Sequence, residues 1–323
     1  MPSALVTMSH SPLMGFTEPP GQARERVETA FDGARAFIAD FAPDLVVIFG
    51  PDHYNGFFYD LMPGFCIGRG ATSIGDYGTV PGELLVDREA AGLLTRAVLD
   101  AGVDVALSER MYVDHGFAQP LQVLFGGIDR IPVVPVFINC VAEPLGPVRR
   151  ARLLGHAVGR ALAGLGRRTL VVGSGGLSHD PPLPRLENAT AEVAATLIAG
   201  GRTLTPEQRA AREQRVVEAG RRYAADPSTT RPSTMRPLNP DWDRRLLAVL
   251  AGNRLEELDA WTTDSFTAAA GHSSHESRTS IAAYAALAAQ GPYEVRSSFY
   301  EPIPDWIAGF AVTTAAPRQG ASA

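Results

Sequence analysis

The stretch LVVIFGPDH, residues 45–53, begins as an apolar, β-branched run and breaks at a glycine-proline pair into an aspartate and a histidine. A short apolar run bounded by glycine and proline predicts a buried β-strand followed by a loop. The apolar runs at residues 4–8 and 169–172 predict two further buried strands, and each leads into a loop that contains a histidine. The three loops carry His53, His10 and His179.

Helical periodicity separates the predicted strands and continues beyond them. The predicted helices cover residues 22–41, 88–101, 147–165, 189–199, 206–225, 242–251 and 277–289. One more strand is predicted at residues 132–138, where prolines favour a sheet edge or a bend. This alternation predicts an α/β fold with a central, mostly buried sheet and helices on its faces. Ligands of such sheets bind at the carboxyl ends of strands, so the active site is expected there.

Composition and charge narrow the class of protein. Of the 323 residues, 45% are hydrophobic and 20% charged, which is typical of a globular protein. The net charge is −6, so no basic face is expected and a nucleic-acid partner is disfavoured. No run approaches the roughly 18 apolar residues of a membrane helix. Two cysteines cannot form a disulfide framework, so we expect a cytoplasmic protein.

We expect one catalytic domain over residues 1–315 and a flexible C-terminal tail over residues 316–323. Residues 226–240 are rich in proline, serine and threonine and predict a long loop, for which closure over a substrate is one hypothesis. His115 is predicted in a loop before the apolar residues 121–125. The segment HSSHES, residues 272–277, is predicted at the start of a helix.

Each histidine taken alone has a structural alternative. A histidine beside an aspartate at a strand end is more often a hydrogen-bonded structural residue than a ligand. GSGGLSH fits an anion-binding loop, a tight turn or a catalytic loop, and it does not have the spacing of a serine nucleophile elbow. HSSHES also fits a capped helix start. The recurrence of histidines at several strand ends favours a functional site.

Eight segments in order along the chain carry a family resemblance: SHSPLMG, GPDHYNGFFYDLMPGFCIG, VDHGFAQPL, VPVFIN, GSGGLSHDPP, LNPDWD, SSHESRTSIAAYAAL and PIPDWIAGF. Together they resemble the class III extradiol catechol dioxygenases, which include proteins similar to the protocatechuate 4,5-dioxygenase beta subunit. The resemblance implies a non-haem Fe(II) enzyme that uses O2 to open a catechol ring beside its two hydroxyl groups. It also implies a homo-oligomer.

By the same resemblance, His10, His53 and Glu276 bind the metal, His179 acts as the base and His115 as the proton donor. An exchange of the last two roles remains open. Two imidazoles and one carboxylate on one face of an octahedral metal leave three positions, enough for both catechol oxygens and O2. Histidine titrates in the range that acid-base catalysis requires.

Two further residue choices concern the metal. Glu276 is preferred over the neighbouring His272 and His275 because a carboxylate balances the charge of the metal. Asp52 is predicted to orient the imidazole of a ligand.

The implied substrates are 3-(2,3-dihydroxyphenyl)propionate and 2,3-dihydroxycinnamate, and the implied product of the former is 2-hydroxy-6-oxonona-2,4-dienedioate. An arginine is expected to bind the side-chain carboxylate because the chain has no lysine, but the sequence does not identify which. Two alternatives stay open. A zinc hydrolase could use the same two histidines and glutamate. A non-catalytic metal-binding relative would keep the fold without needing both His115 and His179.

Overall fold

The computed structural model describes residues 3–181, 183–199, 204–225 and 236–318. Its strands are β1 (Ser3–Met8), β2 (Leu45–Gly50), β3 (Phe65–Gly68), β4 (Ala71–Ser73), β5 (Gly82–Glu83), β6 (Ala106–Ser108), β7 (Met111–Val113), β8 (Val133–Ile138), β9 (Thr169–Ser174), β10 (Tyr293–Ile303) and β11 (Ala308–Pro317). Its helices are α1 (Ala23–Phe41), α2 (Arg88–Asp100), α3 (His115–Phe125), α4 (Arg149–Gly164), α5 (Ala191–Ile198), α6 (Pro206–Ala225), α7 (Pro240–Ala251), α8 (Thr263–Ala270) and α9 (Ser277–Ala288). The predicted helices are confirmed to within two residues at each end.

Eight strands form one mixed sheet in the order β10-β11-β1-β9-β2-β8-β3-β6. The four central strands, β1, β9, β2 and β8, are parallel, whereas β11 pairs antiparallel with β1 and β3 pairs antiparallel with β8. Strands β5, β4 and β7 form a separate small sheet. The predicted α/β fold, a central sheet flanked by helices, is confirmed.

Both faces of the central sheet are buried, which explains why its strands are continuously apolar. In β2, Val46 and Ile48 pack into a core that includes side chains of α1 and α3. Val47 and Phe49 pack on the other face with side chains of α2, α4, α7 and α9. Because successive side chains of a strand point to opposite faces, one apolar run serves two cores.

Strand β8 lies between β2 and β3, so the sheet edge, one of the two alternatives that its prolines favoured, is wrong. Pro135 pairs with Ile48 of β2. It lies one residue before Val136, where the pairing of β8 with β3 ends. Its missing N–H therefore interrupts no pair of the β3 ladder.

The final hairpin, β10 and β11, was not predicted. Its second strand is buried between β10 and β1, and it includes Ala316 and Pro317, so it runs two residues into the predicted tail. Residues 319–323 of the predicted tail lie outside the described residues. Residues 226–235 of the predicted loop also lie outside them, so the hypothesis that this loop closes over a substrate concerns residues that are not described.

Helix α3 begins at His115, which was predicted in a loop. The side chain of Asp114 accepts from the backbone N–H of Gly116 and caps the helix. Within the described residues, no helix is both long and apolar enough to cross a membrane.

Candidate metal centre and active-site cavity

The carboxyl ends of three central strands bring histidines together. Strand β9 lies between β1 and β2, and all three are parallel, so the loops that follow them meet at one edge of the sheet. These loops carry His179, His10 and His53. Glu276 joins them as the last residue of a 3-10 turn that leads into α9. The predicted convergence of the strand-end histidines is thus present in the fold.

The carboxylate of Glu276 lies among these imidazoles. Its Oε1 is 3.1 Å from His53 Nε2 and 3.1 Å from His179 Nε2, and its Oε2 is 3.4 Å from His10 Nε2. The pKa of Glu276 is well below its usual value. Burial favours the neutral acid, but the charge of His179 and hydrogen bonds from His179 and His53 outweigh burial. The cluster therefore contains an ionised carboxylate.

The hydrogen bonds of His10 fix which of its ring nitrogens carries the proton. Ser174 Oγ donates its single proton to the carbonyl of Gly116 over 2.6 Å, so it must accept from His10 Nδ1, 2.8 Å away. Burial lowers the pKa of His10 to about 3, which keeps the ring neutral. Nε2 then directs an unshared electron pair towards Glu276, without a hydrogen-bond partner among the described residues. This is the arrangement typical of a metal-binding histidine.

Asp114 holds His53 in a similar way. Its Oδ2 accepts from the backbone N–H of His53 over 2.8 Å and from ring Nδ1 over 3.0 Å. Burial raises the pKa of Asp114, but the charges of His53 and His115 outweigh it and hold that pKa well below its usual value. Burial lowers the pKa of His53, yet Asp114 and Glu276 together raise it well above its usual value. With Nδ1 bound to Asp114, Nε2 is the nitrogen that faces the glutamate.

Asp52 was predicted to orient a ligand imidazole, and this prediction was wrong. Its carboxylate accepts from the backbone N–H groups of residues 55–57 over 2.8–3.1 Å and so closes the turn after β2. Burial and the charge of Asp114 raise the pKa of Asp52 to about 7. Asp114 orients His53 instead, 61 residues away along the chain. Asp114 directly precedes the candidate histidine His115, and this was the one feature of the sequence that could have identified it.

The two predicted acid-base histidines each have one ring nitrogen bound and the other directed into the site. His179 Nδ1 donates to the carbonyl of Leu177 over 2.9 Å, which leaves Nε2 towards the carboxylate described above. His115 Nδ1 lies 2.6 Å from Asp76 Oδ2. Its Nε2 is buried and has no hydrogen-bond partner among the described residues. Asp76 was not identified from the sequence.

The other histidines of the HSSHES segment lie apart from this cluster. His272 Nδ1 is 3.0 Å from Asp180 Oδ1. His275 is buried and stacks on Phe266 with ring centroids 5.5 Å apart. Of the three candidate ligands in the segment, the fold brings Glu276 to the strand-end histidines.

A cavity of about 840 Å³ adjoins the cluster and is lined by His10, His53, His115, His179 and Glu276. Helix α6 contributes another part of its wall, with Arg209, Arg212, Glu213, Val216 and Gly220. Of the aromatic residues after His53, Tyr54 lines the cavity. Phe57 stacks on Phe137 and Phe58 is fully buried, so these two serve the core.

The donor atoms fit a metal ion. Ligand atoms of His10, His53 and His115 lie within 4.8 Å of one another, and Glu276 adds an anionic oxygen. The rings of His10 and His53 are nearly perpendicular, at 84°, whereas those of His53 and His115 are nearly parallel, at 19°. Imidazole nitrogen and carboxylate oxygen suit divalent transition metals such as iron and zinc. The buried electron pair of His10 is the observation that favours a cation here.

Residues 4–311 match the family described as the catalytic LigB subunit of aromatic ring-opening dioxygenase. The chain belongs to this family and is an extradiol dioxygenase, which confirms the resemblance identified from its motifs.

Similar proteins carry a more specific name, 2,3-dihydroxyphenylpropionate/2,3-dihydroxicinnamic acid 1,2-dioxygenase. The protein of that name from Rhodococcus jostii (strain RHA1) is 61% identical, over 98% of this chain and 98% of its own. Those from Paraburkholderia xenovorans (strain LB400) and Klebsiella pneumoniae subsp. pneumoniae are 53% and 50% identical, each over 98% of this chain and at least 98% of theirs. A solved structure of an uncharacterized Escherichia coli K12 protein aligns with a TM-score of 0.46 and 15% identity, too distant to support an argument.

Proposed function

We propose that this protein uses Fe(II) and O2 to cleave 3-(2,3-dihydroxyphenyl)propionate beside its two hydroxyl groups, giving 2-hydroxy-6-oxonona-2,4-dienedioate. A second expected substrate is 2,3-dihydroxycinnamate. The names of relatives that are 50–61% identical support the substrate. The observation that carries the proposal is the ionised Glu276 carboxylate, which faces Nε2 of both His10 and His53.

His10, His53 and Glu276 are the proposed metal ligands. In each histidine a hydrogen bond at Nδ1 directs Nε2 towards the carboxylate, and Nε2 of His53 would bind the metal after losing its proton. The ring of His115 is nearly as perpendicular to His10, at 82°, as that of His53, at 84°, so the choice of His53 over His115 as a ligand rests on the family resemblance. Bound Fe(II) would supply open coordination positions for both catechol oxygens and O2, and the electron density that O2 requires to react.

His179 is the proposed base. A catechol hydroxyl must lose a proton, and Nε2 of His179 could accept it once metal binding by Glu276 has released the proton that Nε2 shares with that carboxylate, because Nδ1 donates to Leu177. Burial lowers the pKa of His179, but the charge of Glu276 and its hydrogen bond raise it above the usual value. The adjacent carboxylate therefore stabilises the imidazolium that proton transfer would produce.

His115 is the proposed proton donor. The bond from its Nδ1 to Asp76 leaves Nε2 to hold a proton and deliver it to the opening ring. Only 2% of His115 and 2% of Glu276 is exposed, so bulk water is kept from both groups.

The domain, the oligomer and the location are proposed on separate grounds. Two cores that both extend from β1 to β11 support one catalytic domain over residues 1–315. The homo-oligomer rests on the family resemblance, and the cytoplasmic location on the cysteine content.

The function is tested by loading metal-free protein with Fe(II) without air and then adding the catechol and O2. We expect one O2 consumed per substrate and a yellow, conjugated product that absorbs visible light. Protein loaded with Zn(II) is the control for the alternative hydrolase and should show neither signal. Full turnover by metal-stripped or zinc-loaded protein would refute the requirement for Fe(II).

A further inference from the structure

Helix α6 places positive charge on the wall of the cavity. The arginines that line the cavity within the described residues are Arg209, Arg212, Arg215 and Arg222, all on this helix. Arg209 and Arg212 are half-buried, whereas the other two are exposed. An anionic group that enters the cavity can therefore accept hydrogen bonds from the permanently charged guanidinium groups of α6.

Arg212 is the arginine of α6 that is tied to the histidine cluster. Its Nη2 donates to the backbone carbonyl of His53 over 3.1 Å, and its Nη1 lies 3.5 Å from the carbonyl of Tyr54. A guanidinium has five N–H groups, so three remain for another acceptor. These bonds fix the cation beside the loop that carries a proposed metal ligand.

The charge of Arg212 has no counter-ion among the residues that the structure describes. Both of its hydrogen-bond acceptors are neutral carbonyls, and within the described residues no carboxylate forms an ion pair with it. The neighbouring Glu213 is engaged elsewhere, since its Oε2 accepts from the backbone N–H of Tyr77 over 3.2 Å. A half-buried cation without a counter-ion is favourable for binding an anion, because the anion compensates the lost hydration.

The size of the proposed substrate limits where its carboxylate can lie. The propionate carboxyl carbon is three C–C bonds of about 1.5 Å from the ring, so it stays within about 4 Å of the ring carbon that bears it. The ring itself is held at the histidine cluster through its hydroxyl groups. Arg212, bound to the backbone of His53, is therefore better placed than Arg209, which lies one turn earlier on the helix.

We infer that Arg212 binds the side-chain carboxylate of the substrate and so selects catechols that carry an anionic side chain. This inference rests on the proposed function, because the substrate is the one proposed above. Arg212 answers the question that the sequence left open, namely which arginine meets the carboxylate.

The test compares the acid with its primary amide, 3-(2,3-dihydroxyphenyl)propanamide, which has the same shape and no charge. For Arg212→Gln in the Fe(II)-loaded enzyme, we expect kcat/KM on the acid to fall about 10- to 100-fold, mainly through KM, as for a lost charged hydrogen bond. The value on the amide should change by less than about threefold. Arg212→Lys should recover part of the loss, because it keeps the charge without the planar fork. Arg160→Gln, an exposed arginine of α4 outside the cavity, is the matched control and should leave both substrates unchanged.

Three outcomes would overturn the inference. Equal losses on acid and amide would mean that Arg212 only holds the loop after β2. A loss specific to the acid in Arg209→Gln but not in Arg212→Gln would assign the carboxylate to the other arginine. A wild-type enzyme that cleaves neither catechol would refute the proposed function and the inference with it, whereas the first two results leave that function intact.

Discussion

Replacement of Ser174 by alanine tests the argument that a hydroxyl group fixes the tautomer of His10. Ser174 is fully buried and bridges His10 Nδ1, at 2.8 Å, to the carbonyl of Gly116, at 2.6 Å. That carbonyl has no helical partner, because the residue four positions later in α3 is Pro120, which has no N–H. Ser174→Ala therefore leaves two buried polar groups without a partner.

The magnitude follows from these two groups. An orphaned buried polar group costs about 1–3 kcal/mol, so the free energy of unfolding of the metal-free protein should fall by about 2–6 kcal/mol. A ring released from its second hydrogen bond also binds metal more weakly, and we expect Fe(II) affinity to fall about 10- to 100-fold. Urea denaturation followed by circular dichroism measures the first quantity. Anaerobic competition with a coloured Fe(II) chelator measures the second.

Thr169→Val is the matched control on the same strand. Thr169 is fully buried, and its hydroxyl has no hydrogen-bond partner among the described residues. Its replacement should leave the free energy of unfolding unchanged or slightly raised, and Fe(II) affinity unchanged. If Ser174→Ala binds Fe(II) as tightly as Thr169→Val does, the tautomer argument for His10 is refuted.

Three further predictions concern the ligands, the acid-base groups and the packing of the helices. Glu276→Ala should lose both bound iron and ring cleavage, measured as iron stoichiometry and O2 uptake, because it removes the proposed anionic ligand. His115→Ala and His179→Ala should keep iron, while turnover falls by roughly 10²–10⁴ as expected for general acid-base groups. Gly155→Ala should lower the melting temperature sharply, since its Cβ would lie 2.0 Å from the carbonyl oxygen of Ala282 in α9.

Each of these predictions has a control or a contradicting result. His272→Ala and His275→Ala should keep iron, and loss of iron from either, together with retention by Glu276→Ala, would overturn the choice of carboxylate. Loss of iron from the His115 or His179 variant would mark that residue as a ligand. Gly164→Ala, in the same helix with open space around it, should not destabilise the protein. A similar melting temperature for both glycine variants would contradict the packing argument.

The predictable part of the site was local in sequence. His10, His53 and His179 each follow a short apolar strand, and parallel strands bring such loops to one edge whatever their order along the chain. The seven predicted helices were equally visible because their periodicity spans many residues, whereas α3 and α8 were not predicted.

The features that the sequence did not predict depend on contacts between residues that are distant along the chain. Ser174 lies 164 residues from His10, and Asp76 lies 39 residues from His115, so no local pattern could connect them. Strand β10 could not be predicted from a local pattern either. Its side chains are mostly half-buried and show no alternation that would predict a strand. Its strand conformation comes from pairing with β11, which in turn pairs with β1.

The distance along the chain between His53 and Glu276 sets the order in which the centre can form during synthesis. The two residues are 223 positions apart, and at about 5–20 residues per second a ribosome needs roughly 10–45 s to cover that interval. During this time the nascent chain offers both histidines without the carboxylate that faces them in the folded protein. The proposed Fe(II) should therefore enter after translation has passed Glu276, when β11 has closed the sheet beside β1.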